Sequence, residues 1–315
     1  MAGCVASTPL HMAIEERNDT QALRLIDKSK NVDKPDGNGA TALHAAARTG
    51  QPKAASALLQ KGASHTVRNN AGATPLIEAC RNGHAEVARL LVEAGADRNA
   101  TDKVGNDCLL VAAHGGHMKM VKRALAEGTD INQANVNGRT ALIMAAAGGH
   151  DGLARHLLKA GADLAADDDH GVTAFDIAVE QDNRGLARTL LQAGARPTTF
   201  SDTVPRAGWY TAESHFTAAD YYEDRDRARA LTYYRTAAEH YERAVDEWKD
   251  FGRETNGAIA GAVFGTMLIV AVSGAGSPTP SVAAPVRARM EIGEKRKEAE
   301  ALLVLSREKV AALGG

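Results

Sequence analysis

The chain has 315 residues, 44% of them hydrophobic, which is enough for two or three domains with cores of their own. Its 37 basic and 39 acidic residues nearly cancel, to a formal charge of -2, so there is no basic surplus to bind nucleic acid or an anionic membrane surface. The Met-Ala-Gly-Cys start lacks the charged region and apolar run of a secretory signal, and Ala2 stands where N-myristoylation needs glycine.

From Thr8 to about residue 198 the sequence repeats itself. The same phase begins at Thr8, Thr41, Thr74, Asp107, Thr140 and Thr173, each step being 33 residues with no insertion. Six copies in one register make this half a repeat protein. In the copy that starts at Thr74, that threonine is a predicted N-cap and Pro75 suits the first helical position. Leu76, Ala79 and Cys80 fall at helical spacing, and Gly83 closes the helix. Val87, Leu90 and Leu91 form the apolar stripe of a second helix closed by Gly95, and the Asn-, Asp- and Gly-rich stretch from Arg98 to Asn106 is a turn. One copy is thus a helix, a tight loop, an antiparallel helix and a turn. No copy buries its stripe alone, so neighbours must stack. By the same phase Gly149 is expected in a left-handed turn.

Four signatures recur across the copies. They are Thr8-Pro9-Leu10-His11 with Thr41-Ala42-Leu43-His44; the glycines at 50, 83, 116 and 149; His84, His117 and His150 directly after the last three; and the pairs Leu58-Leu59, Leu91-Val92, Leu157-Leu158 and Leu190-Leu191. With the 33-residue period, they make residues 5–198 resemble the ankyrin-repeat family. The resemblance implies an all-α, ankyrin-type solenoid of stacked helix pairs with hairpin turns, followed here by a C-terminal helical region. It also implies that His11, His44, His84, His117 and His150 make backbone hydrogen bonds. Arg17 and Asp182 replace the inter-helix glycine in the first and last copies, as expected of capping repeats. The fourth copy, with Asp107-Cys108 for Thr-Pro and Ala124-Leu125 for Leu-Leu, is expected to be the weakest link.

Family geometry further implies a protein partner on the concave face. It places there the residue after the Thr-Pro-Leu-His phase, read from the second copy as Ala45, Glu78, Val111, Met144 and Ile177. This wall turns apolar toward its C-terminal end, where His114-Gly115 and Ala147-Gly148 replace the longer Arg48-Thr49 and Arg81-Asn82. The expected partner-binding residues are therefore Glu78, Arg81, Val111, His114, Met144, Ala147 and Ile177, around a shallow apolar groove. Its occupant would be a helix of another protein or the chain's own C-terminal helix.

Chemistry-bearing clusters are otherwise missing from the sequence. No His-Glu-x-x-His, zinc-spaced cysteine pair, Gly-x-Ser-x-Gly or phosphate loop occurs. His114, His156 and His170 have no cysteine or carboxylate at ligand spacing, and Asp167-Asp168-Asp169 lacks the alternation of a calcium loop and is expected to be solvated. Of Cys4, Cys80 and Cys108, the latter two fall in predicted helices, where each is expected as a separate small buried thiol in a reducing, cytoplasmic compartment. No catalytic, cofactor-binding or metal-ligating residue is assigned, and no small-molecule substrate is expected.

Beyond a 199–208 linker the character changes. Of 13 aromatic residues, eleven lie between Phe200 and Phe251, so this half requires a different core. Residues 209–255 read as an aromatic-rich helical hairpin with Tyr and Ala at mixed helical spacings. Ala219-Asp220-Tyr221-Tyr222 and Ala230 to Ala237 give it a resemblance to a single tetratricopeptide-type hairpin; the plainer reading is a helical pair capping the stack. Within 256–277, a Gly-rich apolar helix, Gly257 to Gly276 is twenty residues without a charge, the length of a bilayer span. Gly257, Gly261 and Gly265 are spaced for close helix contact. This segment is expected either to enter a membrane or to bury itself against a partner helix. Residues 278–315 hold a Pro-rich break and an amphipathic helix with Ala299, Leu303, Ser306, Val310 and Leu313 on one side, an antiparallel mate for the 231–251 segment.

These features add up to a non-enzymatic protein-interaction adaptor or scaffold, anchored at a membrane or docked into an assembly by its C-terminal helices. The alternatives are an architectural accessory subunit, and an enzyme whose site would draw on Glu213, His215, His240 and Asp246.

Overall fold

The computed structural model describes residues 8–197, 207–254 and 284–313. The described residues form fifteen helices, joined by turns, with a single isolated β-bridge between Asp167 and Thr173. They fall into two units that divide between Ala195 and Arg196.

The first unit is built from six helix pairs. Their first helices are α1 (Pro9–Glu15), α3 (Ala42–Thr49), α5 (Pro75–Arg81), α7 (Cys108–His114), α9 (Ala141–Ala147) and α11 (Ala174–Glu180). The second helices are α2 (Asp19–Lys28), α4 (Pro52–Gln60), α6 (Ala85–Glu93), α8 (Met118–Ala126), α10 (Asp151–Lys159) and α12 (Arg184–Gln192). All six residues that open the repeat phase are helix N-caps. The Thr74 hydroxyl accepts from Ile77 N–H, and Asp107 does the same work with Leu110 N–H. Each of these two bonds satisfies a donor that the helix start would otherwise leave unpaired.

Successive first helices pack directly on one another. Their interior faces are largely alanine, as in Ala45-Ala46-Ala47 and Ala112-Ala113, all buried. Histidines bolt one copy to the next. His11 Nε2 donates to the Ala40 carbonyl (2.9 Å) and His44 Nε2 to the Ala73 carbonyl (3.1 Å). On the inter-helix loops, His84, His117 and His150 donate to the carbonyls of Arg48, Arg81 and His114 at 3.0, 2.9 and 2.9 Å. Each of these three rings lies against a glycine of the preceding copy, where a Cβ would collide with it. The end copies depart as capping repeats do: Arg17 (φ 56) and Asp182 (φ 49) hold the left-handed position without glycine.

The turns share a second device. Asp36, Asn69, Asp102, Asn135 and Asp168 each accept the backbone N–H groups two and four residues ahead. Asp168 is therefore a buried turn residue, also paired with Arg139 at 3.2 Å, rather than part of a solvated acidic run. No His, Cys, Asp and Glu group suited to a metal exists among the described residues.

The cysteine expectation is corrected. Cys80 and Cys108 are joined in a disulfide, with Cα atoms 5.3 Å apart. The stacking of α5 on α7 brings the sixth residue of one helix beside the first residue of the next, a proximity that spacing along the chain does not reveal. Cysteine usage therefore no longer argues for a reducing compartment. Closing 28 residues of chain is worth about 3.5 kcal/mol in the chain-entropy account. The staple sits at a defect. Leu58, Leu91, Leu157 and Leu190 are fully buried at one phase of the second helices, and Ala124 takes that place in the fourth copy. Between α6 and α8 this leaves a cavity of about 290 Å³ lined by Val92, Met120 and Ala124 among others.

The second unit comprises α13 (Ala207–Tyr222), α14 (Arg227–Glu254) and α15 (Ala284–Ala312). The aromatic residues do form a separate kind of core. Tyr241 packs with Ala212, Ala237, Ala244 and Ala299, and Tyr234 with Ala219 and Ala230, so tyrosine rings fill alanine-sized gaps. Leu302, Leu303, Val310 and Leu313 of the C-terminal stripe close both clusters. α15 runs antiparallel to α14: Ala299 lies beside Ala244, and Arg227 donates to the carbonyls of Ala312 and Leu313. Lys309 Nζ and the Tyr234 hydroxyl both bind Glu223 Oε2, at 2.6 and 2.8 Å, and hold that carboxyl below its ordinary range. The 299–313 stripe thus packs on α13 and α14. Residues 257–276 lie outside the described residues. Among the described residues no helix is long and apolar enough to cross a membrane.

The inter-helix glycines separate two costs. Gly116 (φ 71) and Gly149 (φ 70) are both left-handed, but a Cβ on Gly116 would sit 2.6 Å from the His150 ring, whereas one on Gly149 meets nothing within 4 Å. Gly149→Val is expected to lose about 2 kcal/mol from backbone strain alone. Gly116→Val should lose roughly 1 kcal/mol more, because His150 must give up the His114 carbonyl. Chemical denaturation of the two variants checks the order; equal losses would mean the ring contact carries no energy.

Candidate functional site

The candidate face is the side of the stack on which the turns meet the first helices. Three contacts establish it. Asn69 Nδ2 donates to Glu78 Oε1 at 3.1 Å, joining a turn to α5. Arg81 pairs with Asp102 at 3.3 Å, joining α5 to the next turn, and Val136 N–H donates to the Val104 carbonyl at 3.1 Å, joining two turn tips. Glu78 and Arg81 therefore stand beside the turns, and the 33-residue phase puts Val111, His114, Met144, Ala147 and Ile177 on the same side of α7, α9 and α11.

The seven expected residues are not equally available. Arg81 and His114 are exposed, and Glu78, Met144 and Ala147 are half-buried. Val111 and Ile177 are only 4% and 7% exposed, so they support the wall from beneath. Backbone groups here are already engaged: His114 and Ala147 give their carbonyls to His150 Nε2 and Gln181 Nε2, at 2.9 and 3.0 Å.

Two residues that the sequence reading passed over belong to this face. Val104 and Val136 are 43% and 64% exposed at adjacent turn tips. A valine between the Asn, Asp and Gly of a turn has no structural reason to be there, and that was the available signal. Together with Met144 they give the middle of the face an apolar character, flanked by the Arg81–Asp102 and Arg139–Asp168 ion pairs.

Of the residues considered for a catalytic site in the second unit, His215 and His240 do come together, with stacked rings 6.4 Å apart. His215 Nδ1 donates to the Thr211 carbonyl one turn back (2.8 Å), and Tyr233 packs edge-on against its ring. His215 is buried and His240 half-buried.

A family model described as ankyrin repeats (3 copies) matches residues 10–102 and 108–201. Among solved structures, the human ASB11 ankyrin repeat domain is 27% identical, with a TM-score of 0.54, over 61% of this chain and 86% of that one. The ankyrin repeat domain of Bcl-3, a member of the IkappaB protein family, is 28% identical with a TM-score of 0.50, over 61% and 88% of the two chains. No curated protein matches the chain.

One of the histidine bolts, His44, carries a pH dependence. Burial pushes the His44 imidazole below its ordinary value of 6.5, against the smaller opposing effect of its bond to the Ala73 carbonyl. Its Nδ1 accepts from Thr41 N–H at 3.1 Å and has no room for a proton. With a folded value below the unfolded one, the stabilisation is fully present above about pH 6.5 and is lost as pH falls through the folded value. Unfolding free energies measured from pH 7.5 to 5 should fall with pH, and His44→Gln should be less stable at pH 7.5 yet show a flatter profile. A profile as steep as the parent's would place the titration elsewhere.

Proposed function

The chain belongs to the ankyrin-repeat family, and from that premise we propose that it is a protein-interaction adaptor whose partner docks on the turn-and-first-helix face of the third to fifth copies. The observation that carries this reading is the exposed apolar pair Val104 and Val136 at adjoining turn tips, on the side of the stack where the repeat phase also puts Met144. Clustered exposed apolar side chains on an otherwise charged surface mark interaction sites. Such proteins act by presenting a rigid surface, and nothing in the proposed face requires turnover of a substrate.

The test is a pair of charge substitutions, Val136→Glu with Met144→Glu, in the full chain. Both positions keep solvent access, so thermal stability should stay close to the parent. Proteins recovered by proximity labelling with the parent should drop by about tenfold or more with the variant, as expected when central contacts are lost. Unchanged recovery would place the partner on another surface.

The uncharged stretch 257–276 supports a second element of the reading, that the adaptor is held at a membrane or docked to a partner helix through this segment. Deleting 257–276 should abolish carbonate-resistant membrane association of the full chain. If the undeleted chain is recovered wholly in the soluble fraction, membrane anchoring is eliminated.

A further inference from the structure

Four departures from the repeat pattern converge on the junction between the third and fourth copies. Cys80 occupies the phase held elsewhere by Ile14, Ala47, Ala113, Ala146 and Val179. Cys108 takes the first helical position, otherwise Pro9, Ala42, Pro75, Ala141 and Ala174. Ala124 replaces the buried leucine of the second helices, and Arg98 stands where three other copies have Val32, Ile131 and Leu164. In space these residues make one feature. The disulfide partner Cys108 lines the cavity between α6 and α8, as do Ala124 and Arg98.

The two sulfurs of the bridge are not equivalent. Cys80 is completely buried, while Cys108 keeps partial exposure and lines the cavity. Of the two cysteines Cys108 alone lines the cavity, so a reagent entering there meets that side of the bond. The cavity has an apolar floor of Leu76, Val92 and Met120 and a polar rim of Asn99, Thr129, Arg98, Arg123 and Glu127. The charged residues that line the cavity are two guanidiniums and one carboxylate, with Glu127 2.8 Å from Arg123 and 3.8 Å from Arg98. At about 290 Å³ the volume falls just short of drug-sized ligand pockets, roughly 300 Å³ and up, which suits a small thiol.

We propose that Cys108 is a thiol-exchange site, entered through this cavity and selective for small anionic thiols, and that its use unfastens the third copy from the fourth. The incoming thiolate attacks Cys108 Sγ. The Cys80–Cys108 bond breaks as a new disulfide forms between Cys108 and the incoming sulfur, and Cys80 leaves as a thiolate that takes up a proton. One disulfide is consumed and one is made, with no other oxidant or reductant. A second equivalent of the thiol attacks the mixed disulfide, frees Cys108 as a thiol and departs as the oxidised small-molecule disulfide. The leucine-to-alanine change opens the approach, and the surplus guanidinium charge chooses the sign of the reagent.

The test begins with non-reducing peptide mapping of the full chain, which must find Cys80 linked to Cys108; free thiols at both positions after air oxidation would end the proposal. The oxidised protein is then treated with 2-mercaptoethanesulfonate or with cysteamine, one anionic and one cationic, and free thiols are trapped with N-ethylmaleimide. The expected early product carries the sulfonate adduct on Cys108 and the maleimide on Cys80. An adduct mainly on Cys80 overturns the access argument. At low ionic strength, after correction for each reagent's thiolate fraction, the anionic thiol should react about fivefold or more faster, an advantage that salt screening removes. Arg98→Ser with Arg123→Ser should reverse the preference, and Arg98→Ser alone should abolish it. Ala124→Leu should slow both thiols by filling the entrance while the bridge still forms. Equal rates for the two reagents in the parent, or no slowing in Ala124→Leu, would show that the cavity does not control the reaction.

Discussion

Everything in the repeat unit depends on one junction geometry: a histidine ring of one copy fitted against a glycine of the copy before and donating to a carbonyl just ahead of that glycine. His84, His117 and His150 repeat this contact at 2.9–3.0 Å. A helix of seven to nine residues has no stability of its own in water. It survives because its neighbour supplies both an apolar face and the bonds that its ends lack. Where the ring is absent, glutamine stands in: Gln51 binds the Ile14 carbonyl and Gln181 the Ala147 carbonyl, so the first and last junctions are closed by the same donor chemistry on a different scaffold. The constraint is therefore a donor at the right height, and imidazole is the rigid solution to it.

That rigidity is what makes the turn-and-helix face usable for recognition. The turns are locked by the Asp or Asn that accepts two backbone N–H groups, and are tied to the first helices by the Asn69–Glu78 and Arg81–Asp102 contacts. A partner meeting this surface does not have to order it, which spares the entropy that flexible loops lose on binding. The second unit solves its own packing by another route. Tyrosine rings fill gaps over alanine, and Glu223 gathers Tyr234 and Lys309 from α14 and α15.

Much of this was legible in the sequence, because each signal was local. The six N-caps, the left-handed glycines and the bonding histidines recur at one phase, and the alternation of Tyr and Ala in residues 209–251 announced a helical core. The bridge was not legible. Cys80 and Cys108 are separated by 28 residues and a copy boundary, and only the stacking of α5 on α7 sets their Cα atoms 5.3 Å apart. The availability of the face was half legible. Phase gave the side on which Val111 and Ile177 lie, but whether a side chain tops the wall or sits beneath it depends on how the flanking turn folds over it. The same limitation hid Val104 and Val136, since exposure at a turn tip has no periodic signature.

A linear array of repeats is also a mechanical object, and the bridge changes its extension. Pulled from its two ends, a solenoid yields copy by copy and releases the full contour of each. With Cys80 joined to Cys108, 28 positions apart in sequence, the chain between them cannot extend under load. At roughly 3.4 Å per residue that withholds about 95 Å of length. The withheld segment comprises the end of α5, all of α6 and the turn that leads into α7. Tension on the oxidised chain would therefore reach the copies on either side first, and the junction with the poorest packing would be the one that force could not draw out.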